Sequence, residues 1–93
     1  MKMKISELLD NPNKWCQGTY ARDAKGQPSD TLSHTTVSWC IIGAMDRCEY
    51  TTDETRDLEH KLIKIMNVGI VSYQDAPERT FAEVHNLLVN LGH

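Results

Sequence analysis

The chain has 93 residues, 40% of them hydrophobic, and one Phe, two Trp and three Tyr supply its aromatic bulk. A chain of that size buries only about 60–65% of its unfolded surface, so residues 1–93 read as one domain with a thin core. The net charge is −3 and the ten Lys and Arg are scattered, many within four residues of an acid, which excludes the basic patch of a direct nucleic-acid binder. No apolar run approaches the ~18 residues of a membrane span.

The segment Met1-Lys2-Met3-Lys4-Ile5 has no apolar stretch and no small-residue cleavage site of a secretory leader. The odd set of Cys16, Cys40 and Cys48 suits reduced thiols, and a cytoplasmic protein is expected.

Ile5 to Asp10 is predicted as a short helix with Ile5, Leu8 and Leu9 on one face, ended by Asn11-Pro12-Asn13. Thr19 to Arg22 reads as a short strand, and Asp23-Ala24-Lys25-Gly26 as a turn. A central helix is predicted to begin between Ser33 and Thr36, capped by Ser33 or Thr35. It carries Val37, Cys40, Ile41, Ala44, Met45 and Cys48 at helical spacing. Within it Gly43 and Ala44 mark a place of close approach, because a mid-helix Gly costs about 1 kcal/mol relative to Ala and needs an offset. Cys40 and Cys48 would then face one way, ~12 Å of helical rise apart and beyond disulfide reach.

Thr51 and Glu54 form a predicted capping box, followed by a stripe of Leu58, Leu62, Ile65 and Met66. Val68 to Tyr73 is β-branched and reads as a connector or an edge strand beside Thr19–Arg22. The last helix is capped by Thr80 with Glu83, carries Phe81, Val84, Leu87, Leu88 and Leu91, and stops at Gly92. The expected fold is mainly α: a small bundle of three main helices with a short N-terminal helix and a minor two-stranded ribbon.

Three blocks carry a resemblance. They are Trp15 with Gln17-Gly18 and Arg22-Asp23-Ala24-Lys25-Gly26; Trp39-Cys40-Ile41-Ile42-Gly43-Ala44; and Tyr73-Gln74-Asp75-Ala76-Pro77-Glu78-Arg79-Thr80. With them the chain resembles a family of short bacterial and phage proteins known as domain of unknown function 6197. Tyr73 stands where that family has Trp and Gln74 where it has Asn, so no role for that amide is carried over. The resemblance implies a mainly helical cytoplasmic protein and transfers no activity.

Candidate site residues follow from residue chemistry. Cys40 is the obvious nucleophile, with His34 as a base supplied from before the helix. A thiol on the apolar face of a helix is more simply a small core residue. His34, His60, His85 and His93 lack metal-ligand spacing, no phosphate loop or dinucleotide motif is present, and no metal or cofactor is expected. Trp15, Gln17, Arg22 and Asp23 could hold a planar ligand or simply pin a turn. Asp75, Arg79 and Thr80 could offer an anion site at a helix start, or form a loop closed by an Asp75–Arg79 contact. Trp39 would cover the core edge or face a partner subunit.

The leading expectation is a non-enzymatic binding protein that sequesters a small metabolite or nucleotide, or engages a host protein. Its ligand would lie between the Trp15–Arg22 and Asp75–Thr80 loops. The alternatives are a cysteine-dependent enzyme using Cys40 and His34, and a structural homodimer packed through the Gly43-Ala44 face.

Overall fold

Short sequence signals at element ends decide where this chain turns. The structure, a computed structural model, describes residues 3–93, so the first two residues of the segment read above for a leader lie outside it. Helix α1 covers Ile5–Leu8, and the backbone N–H of Lys4 is held by the Glu7 carboxylate at 3.0 Å. The Asn11 side chain accepts from Asn13 N at 3.0 Å and starts a 3-10 turn over Pro12–Lys14. Strand β1, Ala21–Asp23, pairs antiparallel with β2, Thr36–Trp39, in the register Ala21↔Trp39, Arg22↔Ser38 and Asp23↔Thr36, with a bulge after Arg22. The remaining helices are α2 (Ile41–Arg47), α3 (Thr52–Met66), α4 (Ile70–Gln74) and α5 (Phe81–Asn90). The fold is thus mainly α with a two-stranded ribbon, as expected.

Both predicted capping boxes form. Thr51 Oγ1 accepts from Glu54 N while Thr51 N donates to Glu54 Oε1 at 2.9 Å, and Thr80 and Glu83 repeat the exchange at α5. Gly92, at φ +78°, ends the chain's last turn where an L side chain would be strained.

The central segment differs from the expectation. Thr36–Trp39 is a strand, and the helix begins only at Ile41 with Cys40 as its N-cap. The apparent helical spacing of Val37 with Cys40 and Ile41 spans two elements. In the strand Thr36, Ser38 and Trp39 are buried while Val37 points outward, and β-branched Thr36 and Val37 suit the extended backbone. Ser33 does not cap a helix. Its hydroxyl accepts from Thr35 N in a tight turn. Cys40 and Cys48 therefore bracket α2 as its two caps instead of sharing one long helical face.

Two further expectations fail for related reasons. Val68–Tyr73 is not an edge strand beside β1, whose two sides meet β2 and the Pro28–Ser29 segment. Ile70, Tyr73 and Gln74 are instead the buried i, i+3, i+4 face of α4. In α3 only Leu58 and Leu62 are buried; Ile65 and Met66 are exposed, since every residue from Ile63 to Gly69 lies in solvent and the last turn of α3 runs past the core.

One core cluster joins all the helices and the ribbon: Ile5 and Leu9, Ala21, Trp39, Ile41, Ala44 and Met45, Leu58 and Leu62, Ile70 and Tyr73, Val84 and Leu88. The described residues form a slab of 36 × 33 × 18 Å. Gly43 explains how the ribbon meets α2. A Cβ at that position would lie 1.9 Å from the carbonyl oxygen of Tyr20, so the close approach inferred from the mid-helix Gly is made by the chain's own β1 entry. Cys40 N donates to that same carbonyl at 3.1 Å.

A polar clasp closes the far side. His93 is buried between Tyr50 and α3, its Nδ1 2.8 Å from the Tyr50 hydroxyl and its Nε2 2.8 Å from Asp57 Oδ2, while its carbonyl accepts from Ser6 N at 2.9 Å. Burial pushes the Tyr50 phenol up to about 12, so it stays neutral. Lys61 and His93 hold the Asp57 carboxyl below its usual range.

Gly43→Ala is expected to destabilise the fold by about 1–3 kcal/mol, since backbone rather than a flexible side chain must move; urea unfolding measures it. Asp57 has a depressed folded-state pKa, so its contribution is complete above the ordinary carboxylate range and is lost as pH falls through the folded value. The stability gap between wild type and Asp57→Asn should therefore narrow as unfolding is measured from about pH 5 down to about pH 3.

Candidate functional site

The three sequence blocks meet, and the side chain that joins them is Gln74. Its Oε1 accepts from the Trp15 indole at 2.7 Å and from Ile41 N at 3.1 Å. Its Nε2 donates to Cys16 O at 2.8 Å and to Asp75 Oδ1 at 3.2 Å. A primary amide has two donor hydrogens and two acceptor lone pairs, so the group is fully used. The position whose role was left unassigned in sequence is thus the centre of the arrangement. A shorter Asn would reach less far from the α4 backbone.

Around it the other predicted residues serve the same junction. Gln17 Nε2 donates to Gln74 O at 2.8 Å and Ala76 O at 3.0 Å, and Gly18 N donates to Asp75 Oδ1 at 3.2 Å. Arg22 donates to Gly26 O and Gln17 O, locking the ribbon loop, and Asp23 Oδ1 accepts from Lys25 N and Gln27 N. Trp39 lies in the core, its indole N–H on Thr31 O at 3.0 Å, with the Arg47 guanidinium 5.3 Å from the ring centre.

The predicted Asp75–Arg79 pairing is replaced by two others. Asp75 turns to Gly18 and Gln74, while Arg79 stacks 3.9 Å from the centre of the Tyr73 ring, donates to Tyr73 O at 2.9 Å and pairs with Glu83 at 3.1 Å. Thr80 is the cap of α5: its hydroxyl accepts from Glu83 N at 3.3 Å and its own N–H donates to Glu83 Oε1 at 3.0 Å.

Cys40 is buried, and its sulfur accepts from Gly43 N at 3.3 Å. Burial raises its pKa, and the N–H groups of Gly43 and Ile42 pull back only in part. His34 is exposed in the loop before β2 and makes no hydrogen bond to Cys40 among the described residues. The structure therefore does not assemble the thiol and imidazole as a reacting pair.

Besides an open cleft of about 590 Å³ beside Tyr50, Lys61 and His93, three clefts adjoin one another among the described residues. One of about 470 Å³ runs between the Ser29–Thr31 loop and α2; one of about 380 Å³ runs between the Gly18–Tyr20 turn and Asp75, over Cys40; one of about 360 Å³ runs between α2, α3 and the start of α4. Tyr20 walls the first two, Ile42 the first and third, and Val71 the second and third. Tyr20 is 61% exposed and Val71 54%, with Ile42 half-buried between them. The second lies between the Trp15–Arg22 and Asp75–Thr80 loops, where the sequence reading puts a ligand; the first and third are not read from the sequence. The available signal was Ile42, an apolar residue that the helical stripe of the central segment leaves out.

Gln74→Ala is expected to lower the unfolding free energy by about 2–4 kcal/mol, because it strands the Trp15 indole, Ile41 N and Cys16 O. Gln17→Ala, which removes donors at a half-buried position, should cost less; denaturation followed by tryptophan fluorescence compares the two.

No curated protein and no solved structure matches the chain. A family model does, over nearly its whole length and across all three of the converging blocks. The chain belongs to the Family of unknown function (DUF6197), whose model matches residues 3–90.

Proposed function

We propose that this chain is a non-enzymatic, cytoplasmic binding module that engages another protein through the face formed by Tyr20, Ile42 and Val71. The observation that carries this reading is the division of labour among its residues. Gln17, Asp23, Arg79 and Thr80, which looked like ligand contacts, are committed to the chain's own backbone and side chains. The large side chains that walk from cleft to cleft are an exposed Tyr and two aliphatics. An aromatic anchor among apolar neighbours is the usual centre of a protein–protein contact. The three free thiols fit the proposed compartment.

A small metabolite is the second reading. The cleft over Cys40 favours it, with about 380 Å³ of space and the Asp75 carboxylate at its wall, within the size range of ligand pockets.

A photo-crosslinking amino acid placed at Tyr20 in cells should give a discrete protein adduct. The same group at Val89, exposed on α5 and lining none of the three clefts, should give none. Absence of a Tyr20-specific adduct, together with a co-purified mass of small-molecule size in native mass spectrometry, would replace the first reading by the second.

A further inference from the structure

The same three clefts carry a charge pattern that specifies the partner. Asp30 and Asp46 line the first, Asp75 the second and Glu59 the third, and no Lys or Arg lines any of them. None of the four carboxylates forms an ion pair among the described residues; the ion pairs there use Asp10, Asp57 and Glu83. Asp30 accepts from Leu32 N and Asp46 from the Thr31 hydroxyl, bonds that orient the groups without cancelling their charge. Arg22 donates to Gly26 O and Gln17 O, and Arg47 to Thr31 O and Ser33 O; both keep their charge, but those bonds hold them away from pairing with the four carboxylates, and neither lines a cleft.

Resting on the docking face proposed above, we infer that its partner presents a cationic segment, with Lys or Arg flanking aromatic or aliphatic anchors. The apolar anchors sit against Tyr20, Ile42 and Val71 in the middle. The cations meet Asp30, Asp46, Glu59 and Asp75 around the edge, the arrangement of an apolar centre with a polar rim. Rim charges of this kind raise the association rate and make binding salt-dependent, and the net charge of −3 adds to the attraction.

The test uses the full chain as bait for a displayed library of random peptides, and the enriched peptides are synthesised and titrated by fluorescence anisotropy. Enriched sequences should combine Lys or Arg with Phe, Leu or Ile, and bind more weakly as salt rises. They should lose most of their affinity to Tyr20→Ser. The combined Asp30→Asn, Asp46→Asn, Glu59→Gln variant keeps each carbonyl acceptor, and it should weaken binding by roughly tenfold in all, at ~2–3-fold per charge. Glu59→Lys, at an exposed position of α3, gives the same direction from a single change that leaves those loop bonds untouched. Neutral or acidic peptides that still require Tyr20 would overturn the charge inference and leave the docking face standing. No enrichment, or peptides indifferent to Tyr20→Ser, would overturn both.

Discussion

The fold depends on one buried amide that is fully bonded. Gln74 ties the Trp15–Cys16 segment, the start of α2 and the end of α4 into a single junction. Its partners are groups that would otherwise be stranded. Ile41 N is a first-turn donor of α2, the Trp15 indole is half-buried, and Cys16 O sits beside a ribbon that cannot use it. A polar group in a low-dielectric interior is costly when half-satisfied and specifying when complete. Gln74 thereby sets the position of α4, which in turn turns Val71 outward and brings Asp75 against Gly18.

That junction shows what the residues with the most chemistry do in the fold. Arg22, Arg79, Asp23 and Gln17 each meet backbone carbonyls or amides of a neighbouring loop, so the polar blocks act as fasteners between short elements. Elements of three to seven residues have little intrinsic stability, and helices that short are sustained by tertiary contacts rather than propensity. The surface that remains for recognition is built from residues of ordinary character.

Signals made within a few residues were legible in the sequence. Thr51 with Glu54 and Thr80 with Glu83 each close a box over three positions, the Asp23–Gly26 turn forms through Gly26 N on Asp23 O, and Gly43 could be read as a close approach. What failed needed knowledge of distant partners. Thr36–Trp39 is a strand because Ala21–Asp23 pairs with it, and Ile70–Gln74 is helical because Ile70, Tyr73 and Gln74 bury one i, i+3, i+4 face. Gln74 looked like a departure from a pattern because its four bonds reach residues up to 59 positions away. The face of Tyr20, Ile42 and Val71 comes from three separated segments, each carrying one residue that no local pattern marks.

The slab shape has a consequence for how binding and folding relate. With a shortest extent of 18 Å against 36 and 33 Å, no core side chain lies far from a broad face. On the docking reading, a partner laid over the Tyr20 and Val71 face would exclude water from Ile42, which packs against the core yet stays half-exposed. Any ligand that binds only the native state stabilises it by an amount that grows with the ratio of its free concentration to its Kd. If the proposed partner binds there, the amount of folded chain in a cell should rise with the amount of that partner.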